Sequence, residues 1–240
     1  MNYYVDLHAD ILSGFSSPGG RPLTDEEAAA RTASLRESNV KLAAAAPYYD
    51  PQRYSPEEFL EMRDAKIAAL ANIAQSMRIV GGAVLPMEYC MAAPRTLAPM
   101  VLGESGYLLI ELPREPITEE FCEKLSRLHI VSGFSPIAAD ADRYFDIWTP
   151  EDWITLRQTG ILLQISVSGL MTPEHRKLSL YLLANQYAHF IASGTRPAGE
   201  PLRFTEAMRT VQRSLPAHLY RRIKNNAGML LSNAEPSSFF

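Results

Sequence analysis

Three side chains that can bind metal alternate near the start of the chain, in the stretch YYVDLHADIL from Tyr3 to Leu12. Asp6, His8 and Asp10 occupy every second position, so a β-strand would turn all three to one face. Carboxylates and imidazoles gathered in this way bind divalent cations and transfer protons. A solvated strand edge is the other interpretation of the same pattern, and the rest of the sequence must separate the two.

Further polar residues stand at the ends of later apolar runs. Glu111 closes the run YLLIEL. Asp140 and Arg143 follow the next strand candidate, and Arg196 follows the last one. In α/β barrels the active site lies at the carboxyl ends of the strands. In such a fold these residues would meet the polar face of the first strand at one rim.

Strand-like and helix-like segments alternate along the chain, which predicts a parallel sheet with right-handed crossovers. Several strands are almost continuously apolar, as strands covered on both faces should be. No G-x-G-x-x-G follows the first strand, so a closed or distorted barrel is favoured over a dinucleotide-binding sheet. The strand candidates are Tyr3–Leu7, Val40–Ala45, Ile79–Leu85, Tyr107–Leu112, Pro136–Ala139, Ile161–Ser166 and Ala188–Ser193.

Helix boundaries are marked by capping residues. Thr24 and Ser55 stand before acidic first turns, and Pro56 takes the first helical position after Ser55. Such residues satisfy the free amide groups of a helix start. Gly160 is a candidate for a helix end, where a left-handed residue is favourable.

Composition restricts the class of protein. A chain of 240 residues with 47% hydrophobic residues can form one α/β domain with a large core. We expect a single barrel domain over residues 1–232 and a flexible tail over residues 233–240. The net charge of -4 gives no electrostatic reason to expect nucleic acid as a partner. No apolar run approaches the roughly 18 residues of a membrane span, and only two cysteines are present, so we expect a cytoplasmic protein.

Four motifs, in order, resemble one known family. DLHADILSG resembles its Asp-x-His-x-His start, and GYLLIELP resembles its Gly-Tyr-x-Leu-Ile-Glu-Phe-Pro strand. GFSPIAADADRY and HFIASGTRP resemble its two later rim motifs. The chain is thus similar, from Val5 to about Leu231, to the metal-dependent bacterial protein-tyrosine phosphatases of capsule and exopolysaccharide loci. That family belongs to the polymerase-and-histidinol-phosphatase (PHP) superfamily.

The resemblance implies a distorted (β/α)7 barrel in which a manganese-type cluster activates water against phosphotyrosine. His8 and Glu111 keep the residues that the family uses as metal ligands. Asp10 and Asp140 stand where the family has histidine. The other ligand positions carry residues that bind metal poorly or not at all: Ser17, Tyr48, Val84, Gly194 and Arg196.

The sequence therefore predicts a weak or vestigial metal site built on His8, Asp10, Glu111 and Asp140. Four ligands cannot offset the charge of two or three metal ions, so at most one manganese-type cation is expected, and none bound tightly is favoured. Asp140 and Arg143 are the candidate catalytic residues.

Two arginines are the candidate phosphate-binding residues, Arg143 and Arg196. Arg143 stands where the family's phosphate-binding arginine is found, and a guanidinium suits a bidentate phosphate contact. Arg196 has a second predicted role, because the acidic residues at the rim need a counter-charge. We expect its guanidinium to bind them in place of the cluster, a hypothesis that fails if Arg196 points into solvent.

Three functions remain open from the sequence. The first is a catalytically impaired regulator that binds a tyrosine-phosphorylated kinase tail through Arg143, Arg53 and Arg196. The second is an active phosphatase with a reduced metal site, and the third is a homo-oligomeric assembly protein with no ligand at the rim.

Cysteine-based phosphatase chemistry is excluded, because Cys90 and Cys122 are each separated from the next arginine by four residues instead of five. The aromatic stretch PYYDPQRY is either a wall over the site or ordinary loop packing.

Overall fold

The computed structural model describes residues 2–16 and 20–240. Within these residues the chain forms eight strands, because the predicted strand over Ile79–Leu85 is interrupted and becomes two. The strands are Tyr4–Ala9 (β1), Val40–Ala45 (β2), Arg78–Gly81 (β3), Val84–Pro86 (β4), Tyr107–Glu111 (β5), Ser135–Ala138 (β6), Leu162–Ser166 (β7) and Phe190–Ala192 (β8).

The helices lie between the strands, as the alternating pattern predicts. Those of the described residues are Asp25–Glu37 (α1), Pro56–Ala69 (α2), Ala71–Ala74 (α3), Met87–Ala92 (α4), Glu119–Ser132 (α5), Pro150–Gln158 (α6), Val167–Met171 (α7), Pro173–Ala184 (α8), Phe204–Ser214 (α9) and Ala217–Leu231 (α10). None of these helices has the length and apolar character needed to span a bilayer.

All strand pairs are parallel, in two sheets of order β1-β2-β3 and β4-β5-β6-β7-β8. Two isolated bridges link the sheets, one from Ala9 to Gly194 and one from Tyr48 to Val84. The amide of Gly194 donates to the carbonyl oxygen of His8 at 2.9 Å at the first of these seams. The predicted α/β class is confirmed. At both seams the barrel is held by a single bridge instead of a continuous ladder.

The apolar strands are buried on both faces because side chains alternate between two cores. In β5, Tyr107 and Leu109 belong to the cluster inside the barrel, whereas Leu108 and Ile110 pack in the cluster toward the helices. Period-two alternation of a continuously apolar run produces this division.

The predicted helix starts are confirmed by their hydrogen bonds. Thr24 and Ser55 form capping boxes with Glu27 and Glu58, respectively. Gly160 follows the end of α6 with a φ of 78°, a left-handed conformation that glycine adopts without strain.

The last residues pack under the barrel, at the end opposite the rim. Pro236–Phe239 forms a 3-10 turn, and Phe239 is 1% exposed. Its ring lies against the rings of Tyr107 and Phe190, with centroids 6.1 Å and 5.2 Å apart. The segment predicted as a flexible tail thus contributes a side chain to the inner core.

Candidate functional site

The carboxyl ends of the strands carry the predicted polar residues to one end of the barrel. His8 lies in β1 with Asp10 just beyond it, Glu111 is the last residue of β5, and Asp140 follows β6. Gly194 follows β8 and bridges back to β1. The parallel strands explain this convergence, since all of them end on the same side.

His8 and Asp140 are joined by Gln164, a residue of β7. The side-chain oxygen of Gln164 accepts from the Asp140 amide at 3.0 Å, and its Nε2 donates to Asp140 Oδ1 at 3.0 Å. His8 Nδ1 lies 3.0 Å from the same Gln164 oxygen and 3.5 Å from Asp140 Oδ1. Because Gln164 Oε1 is an acceptor, His8 Nδ1 carries a proton.

The pKa values of this pair reflect their mutual stabilisation. Burial lowers the pKa of His8, but the charge of Asp140 and hydrogen bonds to Asp140 and Gln164 outweigh it and raise the value to about 9. Burial raises the pKa of Asp140, yet the charge of His8 and several hydrogen bonds bring it to about 2. The two shifts have the same direction in effect, since each favours the charged form of its group.

Asp140 also occupies the space beside Gly194. Its backbone is left-handed, with a φ of 47°, and its Oδ2 accepts from the Thr195 amide at 2.9 Å. A Cβ atom on Gly194 would collide with Asp140 Oδ1 and would lie 2.6 Å from Ser166 Cβ. The carboxylate of Asp140 thus fills the volume that a side chain at position 194 would need.

Asp10 is held by Arg31, a buried residue in α1. Arg31 Nη1 donates to Asp10 Oδ2 at 2.7 Å and to the Asp10 carbonyl oxygen at 3.0 Å. Its Nη2 donates to the carbonyl oxygen of Pro197 at 2.7 Å, which ties the loop after β8 to the end of β1. No sequence motif points to Arg31, because it lies inside a helix far from every rim motif.

Glu111 is held by Arg143. Arg143 Nη1 donates to Glu111 Oε1 at 2.8 Å, and the Arg143 side chain remains 34% exposed. Tyr48 lies next to this pair: burial, and then the charge of Glu111, raise the pKa of its phenol to about 12. The adjacent Tyr49 is buried against Phe59 and Tyr89. The stretch PYYDPQRY therefore contributes one core residue and one rim residue.

Arg196 does not have the predicted contacts. It is buried, and its Nη1 and Nη2 donate to the carbonyl oxygens of Pro201 at 3.0 Å and Ser193 at 2.8 Å. The guanidinium thus closes the loop after β8 instead of binding the acidic residues. Arg31 and Arg143 supply the counter-charge that the sequence assigned to Arg196.

A cavity of about 430 Å³ opens beside these ion pairs. Arg21, Arg143, Ser168, Thr172 and His175 are among its lining residues. Ser168 Oγ is buried and has no hydrogen-bond partner in the part of the chain that the structure describes. Buried hydroxyl groups normally have partners, so this one is an exception. The arginines that line the cavity suit it to an anionic ligand.

The residues present do not fit a metal cluster. Across residues 2–16 and 20–240, no three His, Cys, Asp or Glu side chains are gathered in a way that could hold a metal ion. The reason is the pairing of the acids: Asp10, Glu111 and Asp140 each bond to a basic or amide side chain. Ser17, one of the altered ligand positions, lies outside the described residues.

Two further buried acids are also satisfied within the chain. Asp6 accepts from the amides of His8 at 3.2 Å and Ser193 at 3.0 Å. Asp142 accepts from the amide and the hydroxyl of Ser166, each at 2.7 Å. These bonds position the strand ends and leave neither carboxylate free to bind a metal ion.

Comparison with known proteins agrees with the fold and the motifs. A family described as "Capsular polysaccharide synthesis, CpsB/CapC" matches residues 4–232. A Staphylococcus aureus protein with the provisional name tyrosine-protein phosphatase CapC is 28% identical over 198 residues, which is 79% of this chain and 75% of that protein.

Solved structures show the same fold. One, from work on YwqE of Bacillus subtilis and CpsB of Streptococcus pneumoniae, described as unique metal-dependent tyrosine phosphatases, superposes with a TM-score of 0.81. It is 20% identical, and the match covers 96% of this chain and 95% of the other. The Arabidopsis N6-mAMP deaminase MAPDA reaches a TM-score of 0.51 at 13% identity, over 89% of this chain and 76% of its own.

Proposed function

The chain belongs to the CpsB/CapC family of capsular polysaccharide synthesis proteins, and we propose that it acts in that process by binding phosphotyrosine without hydrolysing it. The ligand is a tyrosine-phosphorylated segment of a partner protein, such as the tail of a kinase. The observation that supports this function is Arg143, which lines the cavity while the carboxylates of Asp10, Glu111 and Asp140 are already bound by the protein.

Arg143 has free capacity for an anion. Only Nη1 bonds to Glu111, and the described part of the chain supplies no hydrogen-bond partner for Nε or Nη2. A guanidinium can hold two phosphate oxygens with two parallel hydrogen bonds. Ser168, whose buried hydroxyl has no partner in the described part of the chain, lines the same cavity. Arg53, which is exposed and stacks on Tyr54, is a candidate contact for the rest of the ligand.

Hydrolysis by a metal-activated water is not supported by the same residues. That reaction needs ligands that hold the ion and leave a coordination position for water. Here Asp10 and Glu111 are each engaged by a guanidinium, and Asp140 is engaged by Gln164 and His8. These contacts favour binding without turnover.

The proposal is tested by fluorescence anisotropy with a labelled phosphotyrosine peptide in the presence of EDTA. We expect the wild type to bind this peptide and not its unphosphorylated form. Arg143→Met should weaken binding about tenfold or more, because charge-assisted hydrogen bonds to phosphate are lost. Arg127→Met, which removes an arginine from the outer face of α5, is the matched control. Equal affinity of Arg143→Met and wild type would contradict the proposal.

An active phosphatase with a reduced site is the second candidate, favoured by His8 and Glu111, which keep the residues that the family uses as metal ligands. It predicts phosphate release from the same peptide when Mn2+ is supplied. It also predicts that His8→Ala abolishes this release. Binding with no release under these conditions separates the first function from the second. The homo-oligomer remains a prediction, testable by light scattering.

A further inference from the structure

Each acidic side chain at the rim has its own partner inside the chain. Arg31 holds Asp10 at 2.7 Å, and Arg143 holds Glu111 at 2.8 Å. His8 faces Asp140 at 3.5 Å, with Gln164 bonded to both. The two guanidiniums come from α1 and from the turn after β6, so two separate elements supply the positive charge.

The more buried of the two arginine pairs also has a structural function. Arg31 and Asp10 have side chains that are 7% and 16% exposed. Arg31 bonds at the same time to the carbonyl oxygens of Asp10 and Pro197, which belong to different loops. A guanidinium with five donors can make these contacts together, whereas a neutral side chain would leave a buried carboxylate without compensation.

The carboxylates that could bind a metal ion at the rim are engaged without an added ion. Asp10 and Glu111 each face a guanidinium, and Asp140 accepts hydrogen bonds from Gln164 Nε2 and the Thr195 amide. A divalent cation that approached this set would meet positive groups at contact distance and would have to displace them. The attraction that normally concentrates metal ions at clustered carboxylates is therefore cancelled.

We propose that Arg31 and Arg143 perform the electrostatic work of divalent metal ions at this rim, so that the fold and the site assemble without metal. This inference goes beyond the proposed function, since it concerns how the rim is stabilised and holds whether or not a phosphopeptide binds there. It also assigns a role to Arg31, which has no place in the sequence motifs.

The first test measures metal uptake and thermal stability of the free protein. The wild type is incubated with excess Mn2+, desalted and examined by elemental analysis, and its melting temperature is measured in EDTA and in Mn2+. We expect no retained manganese and the same melting temperature in both. Retention near one ion per chain, or a rise of several degrees with Mn2+, would overturn the proposal. Neither measurement depends on peptide binding, so the two proposals can fail separately.

The second test removes the protein cations. Arg31→Met should lower the melting temperature, and Asp10→Asn added to it should recover part of the loss, because the uncompensated charge disappears. Arg143→Met and Glu111→Gln form a second, more exposed pair that tolerates substitution if Arg31→Met does not fold. Arg36→Met, in the same helix as Arg31 but paired outside the rim, is the matched control.

The response of the variants to Mn2+ shows whether the arginines take the place of a metal ion or form ordinary ion pairs. With both guanidiniums removed, in Arg31→Met/Arg143→Met, or in Arg143→Met alone if the double variant does not fold, Mn2+ should raise the melting temperature. The reason is that a ligand that binds only the folded state stabilises it. A folded variant that does not respond to Mn2+, or a double variant no more stable than its parent arginine variant, would refute the inference.

Discussion

Gly194 and Asp140 share one small volume at the rim, so a single methyl group there should be costly. Gly194 has a φ of 71°, and a Cβ atom would meet the buried carboxylate of Asp140. Gly194→Ala should therefore destabilise the protein by about 3 kcal/mol, from left-handed strain plus overpacking. The measurement is urea unfolding followed by circular dichroism.

Gly133 provides the matched comparison at the same scale. Its φ is 75°, yet nothing lies within 4 Å of a Cβ atom built on it. Gly133→Ala should lower the free energy of unfolding only through left-handed backbone strain, by about 1 kcal/mol. Equal losses in the two variants would mean that the side chain of Asp140 does not fill the space beside position 194.

The short helix α7 is positioned by one buried acid, and this sets the geometry of the cavity. Asp142 accepts from the Ser166 amide and hydroxyl, and Ser166 Oγ in turn accepts from the Gly169 amide at 3.0 Å. Asp142→Ala would leave the amide and the hydroxyl of Ser166 buried without this acceptor, which should lower the free energy of unfolding by about 1 to 3 kcal/mol. Because α7 carries Ser168, the affinity for a phosphotyrosine peptide should fall as well.

Asp142→Asn is the conservative control for this element. An amide oxygen can still accept from the Ser166 amide, so the loss of stability should be smaller than for Asp142→Ala. Calorimetric melting and peptide anisotropy measure the two effects. If Asp142→Ala loses the expected stability but keeps the wild-type affinity for the peptide, then the position of α7 does not affect ligand binding.

The whole barrel is closed from below by the end of the chain. Phe239 lies in the inner core against Tyr107 and Phe190, whereas Phe240 is 41% exposed. Phe239→Ala should cost about 3 kcal/mol or more, the usual range for a buried phenylalanine. Phe240→Ala should cost about 1 kcal/mol or less, because little apolar area is lost. Similar chemical denaturation midpoints for both variants would show that the last turn does not stabilise the barrel.

The amino-acid sequence by itself determined the α/β class, the order of elements and the side of the barrel where the polar residues meet. Continuously apolar runs such as YLLIEL, capping residues such as Thr24 and Ser55, and the parallel direction of the strands are local signals. They act over a few residues, so they can be identified without knowing the fold. His8, Glu111 and Asp140 follow from these signals together with the rim rule for barrels.

Only the tertiary structure decided which groups bind the acids at that rim. Arg31 lies 21 residues from Asp10, and Gln164 lies 156 residues from His8, so no spacing along the chain relates them. Arg196 follows a rim strand, as a counter-charge should, yet its guanidinium donates to backbone carbonyls because the loop after β8 turns back on itself. A side chain's partner depends on the distance and direction of donors that packing brings together. The chain order fixes which residues reach the rim, and packing alone fixes their bonds.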